Sequence, residues 1–114
     1  MIAHVILWQP RTDLTADARR AVLAALTAAV QAAPTVRSCR IGRRVKHGLP
    51  GYEQAMSQDF GYVAIIEFDD IDGLREYLRH PAHEHIGAQF TSAAAAALAF
   101  DYEIVGIGES SRLI

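Results

Sequence analysis

Two stretches of this chain are apolar on both of their alternating faces. Ala3 to Trp8 is interrupted only by His4, and Tyr62 to Phe68 only by Glu67. A strand with one wet face alternates apolar and polar residues, so both stretches belong in a sheet covered on both sides. A chain of 114 residues has room for one domain and one core. Its own helices can cover one sheet face. The other needs a partner.

The rest of the pattern supplies those helices. Thr15 reads as an N-cap, with Asp17 at the positive end of the helix that follows. Val22, Leu23, Leu26, Val30 and Ala33 fall on one stripe, and Pro34 ends it. Val36 to Val45 reads as a second strand, with Gly42 marking a bulge. Lys46 to Asp59, with Gly48, Pro50 and Gly51, is a long loop of a kind that is often functional or lies against a partner. After Tyr62 to Phe68, Asp69 or Asp70 caps a short helix through Tyr77 and Leu78. Pro81 halts that helix and opens the next.

Ile86, Phe90, Ala94 and Ala97 or Leu98 give this next helix a buried stripe, with the tract Ala93 to Ala97 as a strong helix former. Ala99 to Val105 is the last strand. Residues 1–105 then make the domain. Residues 106–114, with the run Gly-Ile-Gly-Glu-Ser-Ser, are expected to be a mobile tail or an arm onto a neighbour.

The order βαββαβ with right-handed crossovers gives an α+β fold. It is a ferredoxin-like, four-stranded antiparallel sheet with helices on one face. The bare face predicts a homodimer through the open sheet face. A hydrophobic content of 51%, slightly above average, suits a partner face as well as a core.

Several function classes fall away. A formal net charge of −2 offers no attraction to nucleic acid or an anionic membrane. The one basic cluster, Arg37, Arg40, Arg43, Arg44, Lys46 and His47, lacks interleaved aromatics and splits between two strand faces. On an edge strand such charges discourage unwanted pairing. No apolar run approaches the ~18–20 residues that span a bilayer. Strand-like sequence from Ile2 leaves no secretory leader, and the lone Cys39 suits a reducing cytoplasm. Gly106-Ile107-Gly108 lacks the third glycine and helix of a dinucleotide fingerprint. His80, His83, Glu84 and His85 do not make a closed metal set, because His83 and His85 diverge on a helix and no cysteine stands nearby. No metal and no cofactor is expected.

Chemistry is concentrated in Tyr77-Leu78-Arg79-His80-Pro81-Ala82-His83, which sets a phenol and two imidazoles around a proline break. A histidine in the first turn of a helix feels the positive dipole end, which keeps its imidazole neutral and able to accept a proton. A nearby phenol can stabilise developing oxyanion charge. The same residues also make a structural corner, with histidines capping helix ends and a packed tyrosine anchoring its hydroxyl. The residues alone leave open whether the chain is an enzyme.

This box, with Glu67-Phe68-Asp69-Asp70 and Leu74 before it and Phe100-Asp101-Tyr102 after it, resembles the stress-responsive α/β-barrel (Dabb) family. His4 in the first strand fits the same family. The resemblance implies two sheets closing into a dimeric α/β barrel. The first reading is a non-catalytic or ligand-holding barrel of this kind, whose cleft between sheet and helices takes a small apolar or aromatic molecule. Among enzymes resembling the family is a plant polyketide cyclase with a matched tyrosine and histidine, which are Tyr77 and His83 here. On that reading His83 is a general base, Tyr77 an oxyanion donor, and His4, Ile6, Trp8, Tyr62 and His80 line the cavity. A third reading is a cofactor-independent oxygenase of small aromatics, which shares the dimeric barrel.

Overall fold

The computed structural model describes residues 1–114. Its elements run β1 (Ile2–Pro10), α1 (Ala16–Ala32), β2 (Val36–Arg43), β3 (Tyr62–Phe68), α2 (Ile71–Arg79), α3 (Pro81–Ser92) and β4 (Ala94–Glu103). The four strands form one antiparallel sheet in the order β2-β3-β1-β4, a ferredoxin-like arrangement with the helices on one face. The two strands that are apolar on both sides, β1 and β3, are the central pair. No helix is long and apolar enough to cross a membrane.

The helix starts follow their side chains. Thr15 Oγ1 accepts the Ala18 N–H at 3.1 Å, and Asp70 Oδ1 accepts the Gly73 N–H at 2.8 Å. The buried face of α1 is narrower than its apolar stripe. Ala25, Ala29 and Ala33 are buried, Val22, Leu26 and Val30 flank them, and Leu23 stands about half exposed. Small side chains let α1 pack closely beside α3, next to a core of Ile66, Phe68, Leu74, Tyr77 and Ile86.

Two local expectations are corrected. Gly42 sits in regular register opposite Val63, and the β2–β3 irregularity lies between Val36 and Ser38 instead. A Cβ at Gly42 would come within 3.2 Å of Val63 Cγ1, so close approach, not a bulge, is what glycine serves there. The alanine tract is strand, not helix. α3 stops at Ser92, and β4 pairs with β1 from Pro10 opposite Ala94 onward, five residues earlier than the sequence suggests. Alanine's helix preference is only a few tenths of a kcal/mol per residue over ordinary residues. Leaving the end of β1 without a ladder would strand several backbone groups, each a larger loss.

Arg37 and Arg40 of edge strand β2 pair with Asp69 and Glu67, and Arg44, just past the strand, pairs with Asp59, whereas Arg43 has no carboxylate partner. On the sheet face away from the helices, Leu98, Phe100 and Tyr102 of β4 stand opposite Leu7, Val5 and Ala3 of β1. All three β4 side chains are exposed. Residues Ile107–Leu113 form a 3₁₀ helix, with Arg112 reaching Glu109 at 2.8 Å and Glu103 at 3.3 Å.

Candidate functional site

The proline break builds the site. Pro81 has no N–H to continue α2, so the chain turns at His80, which is extended (φ −68°, ψ 137°) and serves as both C-cap and N-cap. The His80 Nδ1 accepts the Ala82 N–H at 3.1 Å. The elbow leaves Tyr77 in the last turn of α2 and His83 in the first turn of α3, with ring centroids 4.9 Å apart in an edge arrangement. His4 reaches them from the sheet below, its ring 6.2 Å from Tyr77 and 6.4 Å from His83.

These three residues form part of the wall of a cavity of about 760 Å³ between the sheet and the helices. Ile6, Trp8 and Tyr62 line it from the strands, and Leu26, Ile86 and Phe90 from the helices. Trp8 stacks on Phe90 at 5.6 Å and donates its indole N–H to the Phe90 carbonyl at 3.1 Å, pinning α3 over β1. His80, expected among the lining residues, is not in the wall. Its ring is turned to its own backbone as a cap.

The sequence reading missed Asp101. It stands directly across from His4 in the β1–β4 ladder, and its Oδ1 lies 2.6 Å from His4 Nδ1. A carboxylate at that distance accepts, so Nδ1 carries the proton and Nε2 is left free. The available signal was an acid inside an otherwise apolar strand, Leu98-Ala99-Phe100-Asp101-Tyr102, which pairs with the one histidine of β1.

Burial tunes the pair. It pushes the Tyr77 hydroxyl up to about 12, with Cys39 adding to the effect, so the phenol stays protonated and able to donate. His83 is held below the usual histidine value, chiefly by loss of water and then by His4, while the Leu78 carbonyl and Glu84 pull the other way. Near neutral pH its imidazole is neutral. No group of three His, Cys, Asp or Glu side chains is placed to share a metal ion.

The His83 shift carries a stability consequence. A histidine whose folded value is depressed stabilises the fold fully above its unfolded value of 6.5, and that contribution is lost as pH falls through the folded value. Thermal melts of the wild type are therefore expected to drop between pH 7.5 and 5.5. In His83→Gln, which cannot take the proton, part of that drop disappears. An identical pH slope in both proteins would show that His83 does not titrate differently on folding.

The family model for the Stress Responsive A/B Barrel Domain matches residues 2–104. No curated protein matches the chain by sequence. Among solved structures, a dimeric ferredoxin-like protein from Thermobifida fusca is 23% identical, with a TM-score of 0.69 over 90% of each chain. A hydroxynitrile lyase from Passiflora edulis superposes with a TM-score of 0.78 at 12% identity, covering 91% of this chain and 93% of its own. A cofactor-independent oxygenase from Streptomyces nogalater gives 0.67 at 16% identity, covering 92% and 93%. At such identities the likeness is one of fold. The family match spans nearly the whole chain, and the protein belongs to the stress responsive A/B barrel domain family.

Proposed function

We propose that this protein is a homodimeric barrel whose cavity takes a small apolar or aromatic carbonyl compound and moves a proton beside the carbonyl, without an organic cofactor. The observation that carries this reading is the Tyr77–His83 pair, 4.9 Å apart, in the wall of a largely apolar cavity. Neutral His83 accepts the proton from the carbon next to the carbonyl as the C–H bond breaks. The electron pair moves onto the carbonyl oxygen, where the Tyr77 O–H donates to the developing charge. His4, oriented by Asp101, presents Nε2 as a second polar contact. A cofactor-independent oxygenase shares the fold, so chemistry without an organic cofactor has a precedent in it. Dimerisation is supported by the apolar sheet face and by the dimeric relative.

Phenylacetone in deuterated buffer tests the proton step before the natural substrate is known. The wild type is expected to speed exchange of the α-protons, followed by ¹H NMR, by about 10²-fold or more over buffer. His83→Ala should return the rate to that of buffer while keeping the oligomeric mass. Phenylacetone that binds without exchange would favour a cavity that only holds its ligand. Consumption of dissolved oxygen would move the reading to the oxygenase class.

A further inference from the structure

The polar groups of the cavity are not confined to the histidine end. Arg19 and Arg20 of α1 and Arg43 of β2 also line it, and no carboxylate does. Arg20 is held by Asp17 at 2.6 Å. Arg19 and Arg43 are different. Every other arginine of the chain except Arg79 lies in an ion pair, whereas these two have no carboxylate partner. Two of the three unpaired guanidinium groups of the molecule thus border one apolar cavity.

The ladder fixes where they stand. Arg43 pairs with Tyr62, and Tyr62 with Trp8, so these residues form one cross-strand row. His4 lies four residues away along β1, about 13 Å at the rise of a strand. Arg19 reaches the same row from the helix above, where its Nη1 donates to the Tyr62 hydroxyl oxygen at 3.4 Å. The Tyr62 O–H is then left to donate. Two cations and one hydroxyl proton border the cavity at one end, the Tyr77–His83–His4 group stands at the other, and an apolar wall lies between.

We propose that the cavity binds an elongated apolar carboxylate, its anionic head at Arg19, Arg43 and Tyr62 and its body running toward His4, Tyr77 and His83. This rests on the cavity reading above and adds the substrate class: an acid whose carboxylate is recognised about 13 Å from the reacting position. Guanidinium forks and a phenol suit a planar carboxylate by direction as well as charge. Neither arginine has an internal carboxylate to displace, so the anion does not compete with an existing ion pair.

The chain's single tryptophan, Trp8, lines this cavity, so its fluorescence reports occupancy there and not on the outer sheet face. Decanoate, whose extended chain is about as long as the span, is titrated beside decanamide, which has the same chain and no charge. The expected result is about tenfold tighter binding of decanoate to the wild type, a gap that narrows at high salt. In Arg19→Gln/Arg43→Gln the gap should close while decanamide affinity stays unchanged. Arg79→Gln, which removes the unpaired arginine outside the cavity, should leave the gap intact. Equal affinities in the wild type, or a gap that survives the double substitution, overturn the carboxylate site while leaving the cavity reading standing, because decanamide still binds. If neither probe alters the Trp8 signal, the cavity reading falls and this inference with it.

Discussion

Leu98→Lys combined with Phe100→Lys is expected to leave the protein monomeric and folded, measured by analytical ultracentrifugation and far-ultraviolet circular dichroism. Both side chains project from β4 on the face opposite the helices, 42% and 51% exposed, beside Tyr102 and Ile104 at 50% and 46%. The rows behind them on β1 are Leu7 and Val5. A run of exposed apolar side chains on one sheet face marks an interaction surface. In a two-fold interface each residue is used twice, so two substitutions remove four apolar contacts. Each side chain is already about half covered within its own chain, so completing its burial contributes roughly half of the 1.5–3 kcal/mol of full burial. Four unpaired ammonium groups in the same contact cost several kcal/mol more. The sum corresponds to a dissociation constant weaker by far more than about 10³-fold. The core lies on the other face of the sheet and should tolerate the change. A double variant that remains dimeric would show that the copies meet through another surface, and the sheet-to-sheet barrel would have to be abandoned.

The same face shows how much of the molecule the sequence carries. Two strands apolar on both sides can be placed from the sequence in a sheet covered on both faces, because such burial leaves no alternation. The helix cap at Thr15 was equally legible, and the next was narrowed to Asp69 or Asp70, since capping is a local contact between one side chain and one backbone N–H. The alanine tract was not. Ala94–Ala97 prefers helix by itself, and only the vacancy beside β1, some eighty residues away in the chain, makes it a strand. The site divides along the same line. Tyr77 and His83 are neighbours across one proline and can be read together. His4 and Asp101 meet only because β1 and β4 pair, and Arg19 and Arg43 border one cavity only because α1 packs beside β2 and reaches Tyr62 of β3. His80 shows the opposite error, for its ring is used up by the corner it makes.

Tyr77→Phe and Tyr77→Ala are expected to part company. Tyr77 is 1% exposed, packed 5.4 Å from Phe68 and 4.9 Å from His83, so truncation to alanine empties the centre of the core. A loss of about 3–5 kcal/mol follows for removing a large aromatic, a large share of the 5–15 kcal/mol that holds a typical domain together. Phenylalanine keeps the ring. The hydroxyl borders the cavity and is not among the orphaned buried polar atoms, of which Gln89 Oε1 is the one instance. Removing an oxygen that anchors no other part of the chain should leave the melting temperature within about 2 °C, under the ~4 °C that 1 kcal/mol produces in a domain of this size. The α-proton exchange of phenylacetone, by contrast, should fall by about 10²-fold, the usual effect of deleting one oxyanion donor. A Tyr77→Phe protein that melts 4–8 °C lower yet exchanges at the wild-type rate would make the hydroxyl a structural anchor. The Tyr77–His83 corner would then be a device for joining two helices, and the proton chemistry would need another donor.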